Sequence, residues 1–215
     1  IASISEGLAY RRDDDFRRIT EIACAESLQL ITLTITEKGY QLNGYDGSYQ
    51  DAVVEDLGRD PESDRMSTAM GLVTALLVRR FHAGATPVAV VSCDNFSHNG
   101  DMLRTSVLTI VAEWEKRGVI DHRVVEWIAE KVEFPISVID KITPAPSQKV
   151  AEQLAAMGLE DMGIDPDVEV AGFVNTEPAE YLVIEDRFPN GRPELEKAKV
   201  YFTDRDTCYR FERMK

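Results

Sequence analysis

The chain contains neither of the common glycine-rich phosphate fingerprints, G-x-G-x-x-G or G-x-x-x-x-G-K-[ST]. Taken alone, that argues against a nucleotide-binding fold. It weighs less if the first β-turn-α unit lies upstream of Ile1. Cysteine is scarce: Cys24, Cys93 and Cys208 are odd in number and scattered, which excludes a disulfide framework and fits a reducing compartment such as the cytoplasm. Histidine is equally scarce, with three residues far apart in sequence. Basic residues are outnumbered, 24 against 38 acidic, for a net charge of −14. That balance excludes a binder of the nucleic-acid backbone, which needs clustered Lys and Arg. No apolar run approaches the roughly 18 residues of a membrane span. Ile1 is followed by no basic and then apolar leader. It is also not a Met, and Lys215 closes an unfinished helical stretch, so a piece of a longer protein is expected.

What is present reads as a soluble globular α/β chain. Its 215 residues suit one large domain or two small ones, with 44% hydrophobic and 29% charged residues. Apolar spacing predicts a helix over 13–27, its Asp13-Asp14-Asp15 start complementing the helix dipole. Residues 28–35 are β-branched and strand-like. Residues 41–62 carry Asn43-Gly44, Asp46-Gly47 and Asp60-Pro61 and read as turns. A helix is predicted over 67–81, with Met70, Val73, Leu77 and Phe81 on one stripe. The continuous apolar run 88–93 reads as a buried parallel strand. Helices follow over 100–116 and 124–132, then an extended piece from Phe134 and a helix capped by Ser147. Strands are predicted over 168–174, 181–184 and 200–202, and a last helix is capped by Asp204. Alternation of strands and helices predicts an α/β fold with a mostly parallel sheet and helices on both faces, the general architecture that Rossmann-like domains share.

Ligands of open parallel sheets bind at the carboxyl ends of the strands. Two predicted strand ends are polar: Thr36-Glu37-Lys38-Gly39-Tyr40 and Ser92-Cys93-Asp94-Asn95. Position alone leaves two readings of Asp94 and Asn95 open. They address a ligand, or they satisfy loop backbone and cap a helix. Asp94, His98 and Asp101 have ligand chemistry but neither fixed helical spacing nor support from other segments, so no metal site is assigned. Cys93 reads as a packed small residue rather than a nucleophile, and His82 and His122 as surface residues at helix edges.

Val91-Ser92-Cys93-Asp94-Asn95 followed by Asn99-Gly100, and Phe134-Pro135 followed by Val138 to Pro144, resemble the polyol-specific long-chain dehydrogenase family, the mannitol 2-dehydrogenase and fructuronate (mannonate) reductase type. Collinear further matches are residues 36–40, Thr176-Glu177-Pro178, residues 183–189, Gly191-Arg192-Pro193 and Met214-Lys215. The resemblance implies NAD or NADP as cofactor, no metal, and a sugar alcohol or aldonate exchanging with its 2-keto sugar. It implies that 1–215 is the dinucleotide-binding domain, short of its first β-α units and of a helical substrate domain. Lys215 matches the first position of the family's K-x-x-x-x-N-x-x-H pattern and is the implied general base. Asn95 is the implied donor to the developing alkoxide, Glu37 a proton-passing acid, and Asp140 a carboxylate for substrate or proton handling. Asn95 and Glu37 are also the implied cofactor contacts. Glu212 is open between tuning the lysine and a plain surface pair. A rival expectation is a non-catalytic nucleotide-binding or interaction module on the same fold.

Overall fold

The computed structural model describes residues 5–139, 145–165, 170–173 and 181–214. Two short apolar runs form its centre. Strand β1 (Leu30–Leu33) pairs in parallel with β2 (Ala89–Ser92), with Leu33 opposite Ser92. A parallel pair needs a long crossover. Here it comprises the 3-10 turn Glu37–Tyr40, helix α2 (Asp51–Leu57) and helix α3 (Ala69–His82). The first helix, α1 (Asp13–Cys24), packs on α3. Every residue of β2 is buried, as its unbroken apolar run demands. Val90 joins a cluster with Met70, Leu77, Val107 and Trp114, while Val91 turns to the opposite face beside Ile184 and Val200.

Helices α4 (Asn99–Lys116) and α5 (His122–Lys131) follow. Glu133 then runs parallel to β2, with the Val90 N–H donating to its carbonyl at 2.8 Å. The segment continues into β3 (Ser137–Val138). After α6 (Gln148–Ala156), β4 (Ile164–Asp165) pairs antiparallel with β5 (Val170–Ala171). Strand β6 (Leu182–Glu185) lies antiparallel to β3 and parallel to β7 (Val200–Thr203), and α7 (Arg205–Met214) closes the order.

Among the described residues, β1–β2 is thus a parallel pair, β3–β6–β7 a mixed sheet with one parallel and one antiparallel pairing, and β4–β5 a separate antiparallel pair. Within the stretch read as turns, Val53 and Leu57 recur at helical spacing and are buried on α2, which the sequence reading missed. Ser147 precedes α6, but its side chain makes no capping bond. Thr68 does cap α3, accepting from the Gly71 N–H at 2.9 Å. Asp204 accepts from the Thr207 N–H at 2.9 Å, as expected of a cap for α7. The strand expected over 168–174 lies partly outside the described residues, and Val170–Ala171 is its described part.

Candidate active site

Because β1 and β2 are parallel and in register, their carboxyl ends open on the same edge. Glu37 follows one and Asn95 the other. Both are exposed. The loops carrying them are joined by Asp94, which is 8% exposed. Its carboxylate accepts from the Ile35 N–H at 2.9 Å, the Thr36 N–H at 3.0 Å and the Tyr40 hydroxyl at 2.6 Å. The Tyr40 hydroxyl also lies 2.7 Å from Ser92 Oγ. Burial, reinforced by this bond to Asp94, pushes the Tyr40 phenol above its ordinary range. Burial likewise pushes the Cys93 thiol up to about 11, so it stays protonated and inert near neutral pH.

On the other side, Asn99 is fully buried and joins β2 to β3. Its Nδ2 donates to the carbonyls of Asp94 at 3.1 Å and Ser137 at 3.0 Å, and its Oδ1 accepts from the Ser137 N–H at 3.1 Å. Ser137 Oγ reaches the Ser92 carbonyl at 2.5 Å. Gly100 allows this closeness: a Cβ there would sit 2.7 Å from the Phe134 carbonyl oxygen and 2.8 Å from that of Pro135. The sequence pattern contained Asn99-Gly100, but only the structure gives its reason.

Helix α7 is stitched to the same corner. Arg205 grips the buried Glu185 with two bonds, 3.0 and 3.1 Å, and donates a third to Asp101 at 3.0 Å. The Tyr209 hydroxyl donates to Asp101 at 2.8 Å, and its ring lies 4.9 Å from that of His98. In the last turn of α7, Glu212 accepts the His98 N–H at 3.0 Å. The start of α4 also borders an open groove of about 660 Å³ lined by Tyr40, Leu42, Tyr49, His98, Met102 and Thr105, among others.

Of the four expected site residues, the structure brings Glu37 and Asn95 to one edge. Asp140 and Lys215 lie outside the described residues, as does the Thr176-Glu177-Pro178 match. Asp94 satisfies loop backbone, the second of its two readings. Glu212 meets the start of α4, and its two readings toward Lys215 lie outside the described residues. Asp94 and Asp101 point at different partners, and among the described residues no three His, Cys, Asp or Glu converge for a metal.

A family model described as the mannitol dehydrogenase Rossmann domain matches residues 2–197. The chain belongs to this family. The D-mannonate oxidoreductase of Thermotoga maritima is 46% identical over the whole chain, which covers 41% of that protein. A mannitol 2-dehydrogenase of Cereibacter sphaeroides is 34% identical over 85% of the chain and 35% of its own length. The chain thus spans less than half the length of these mannitol dehydrogenase relatives. Among solved structures, the Pseudomonas fluorescens mannitol 2-dehydrogenase ternary complex with NAD and D-mannitol superposes with a TM-score of 0.72 at 32% identity, over 94% of this chain and 38% of that one. A substrate-free D-sorbitol dehydrogenase gives 0.71, also at 32% identity, over 91% of this chain and 38% of that one. The fold is therefore a Rossmann domain.

Proposed function

We propose that the full-length protein is an NAD(P)-dependent oxidoreductase interconverting a sugar alcohol or aldonate with its 2-keto sugar, without a metal. The family match over residues 2–197 carries this reading. Glu37 and Asn95 opening on one sheet edge support it. Residues 1–215 are its dinucleotide-binding part, and a helical domain beyond them completes the sugar pocket.

When bound, the nicotinamide supplies or accepts hydride. The residues of this chain handle the proton and the charge. The Lys215 amine takes the proton from the alcohol oxygen. Lys215 follows Glu212 by three positions, and Glu212 holds the last turn of α7 beside the loop after β2, which supports its role at this crevice. The Asn95 side-chain amide donates to the developing alkoxide. Glu37, exposed at the crevice mouth, passes the proton onward to water, and Asp140 assists with substrate or proton. The nicotinamide end of the cofactor is assigned to Asn95 and Glu37.

The test is turnover by the full-length protein with NAD and with NADP, against mannitol, mannonate, altronate and arabinitol, with and without a metal chelator. Turnover of at least one, unaffected by the chelator, is expected. No turnover of any, or loss of activity on chelation, contradicts the reading.

A further inference from the structure

The β1–β2 ladder stops where the site begins: its last bond runs from the Cys93 N–H to the Leu33 carbonyl, at 2.8 Å. Beyond it, backbone pairing no longer holds the two functional loops in register. What replaces it is one carboxylate. Asp94 takes both amide protons of Ile35 and Thr36 and the Tyr40 hydroxyl proton, so it grips the Glu37–Tyr40 turn at both ends. Its own carbonyl is held by the Phe96 N–H at 3.0 Å and by Asn99 Nδ2 at 3.1 Å.

The loop it grips is strained. Thr36 has φ 68° and ψ 156°, a region open essentially to glycine, and Thr is β-branched. Such a backbone conformation is strained and persists only where its surroundings over-determine it. The strained residue directly precedes Glu37, and the carboxylate that accepts its N–H directly precedes Asn95.

We propose that Asp94 is a positioning residue that fixes the Glu37 and Asn95 loops to each other, so that both side chains meet substrate and cofactor in one geometry. This rests on the dehydrogenase reading above. Asp94 acts through its neighbours and touches no substrate.

The experiment uses the full-length protein with Asp94→Ala, Asp94→Asn and Tyr40→Phe, each also combined with Asn95→Ala. Three quantities are read: kcat and KM at saturating cofactor, the unfolding temperature, and hydrogen exchange of the peptide spanning 34–40. Asp94→Ala is expected to lower kcat by roughly tenfold to a hundredfold, the scale of a misplacement near 1 Å, with a smaller change in KM. Asp94→Asn, which keeps one acceptor oxygen, recovers part of it. In the Asn95→Ala background the same change costs far less, since the group it positions is gone. Exchange at 34–40 accelerates while β2 and α3 stay protected. Equal losses in both backgrounds, losses that track the unfolding temperature across all variants, or unchanged exchange overturn the proposal. Should Asp94→Ala not fold, Asp94→Asn and Tyr40→Phe carry the same comparisons. If the unmodified protein turns over no polyol or hexonate, the functional reading fails, and exchange at 34–40 alone decides whether Asp94 holds the loop.

Discussion

The backbone N–H of His98 donates to the Glu212 carboxylate at 3.0 Å, joining the start of α4 to the last turn of α7 across 114 positions of sequence. His98 sits in the left-handed region, φ 58°, and makes no cap with its own side chain. Glu212 supplies the acceptor for the N-cap N–H that a Glu or Gln at the third helical position provides in a capping box. Glu212→Ala should therefore destabilise the protein by about 0.5–2 kcal/mol, the range of a lost helix cap, with Glu212→Gln retaining most of it. Thermal unfolding of the two variants checks this, and equal stability for both would contradict it.

Gly100 lets α4 approach the 134–135 backbone. An added methyl meets two carbonyl oxygens, at 2.7 and 2.8 Å, which cannot rotate away. Gly100→Ala should cost about 1–3 kcal/mol, the scale of overpacking, although alanine ordinarily favours a helix. A lowered denaturant midpoint with unchanged slope is the expected observation.

Arg205 is the ion-pair partner of Glu185, whose side chain is 4% exposed. Removing the guanidinium leaves a buried carboxylate with the Ile136 N–H at 3.2 Å and the more distant, half-exposed Arg187 at 4.0 Å. Breaking a buried pair typically costs 3–5 kcal/mol. Because Arg205 is itself 37% exposed, Arg205→Ala should fall lower, at about 2–3 kcal/mol. Glu185→Gln in the Arg205→Ala background should restore part of the loss in equilibrium unfolding.

Stability should fall on the alkaline side. Burial pushes the Cys93 thiol up to about 11 and the Cys208 thiol up to about 12, from an ordinary 9.0. The folded chain then keeps protons that the unfolded chain releases. The resulting stability is complete below pH 9.0 and is lost as pH rises toward the folded values. Tyr40, also raised by burial and Asp94, adds to the loss in the same direction. Urea midpoints across this window should decline, and the buried Cys208 thiol should resist alkylation near neutral pH until the protein unfolds.

Much of the fold was legible because long apolar periodicity reflects burial directly. Helix α3 places Met70, Val73 and Leu77 inward as their spacing requires, and the unbroken run of β2 is buried throughout. Helix α2 was not legible: seven residues give under two turns of period, and turn dipeptides flank them. Strand direction was also hidden, since the two-residue alternation of β3 and β6 is the same for parallel and antiparallel pairing. At the site, polar strand ends marked Glu37 and Asn95. The tasks of Asp94, Asn99 and Glu212 depend on partners 58, 38 and 114 positions away, which no local pattern encodes.

The account stands or falls most directly on Asn95. In single-turnover measurements on the full-length protein, Asn95→Ala should slow hydride transfer by about a hundredfold to a thousandfold, the cost of one lost oxyanion donor, while the cofactor dissociation constant stays nearly unchanged. Strongly weakened cofactor binding with an intact rate at saturation would contradict it, and would make Asn95 a cofactor-loop residue instead.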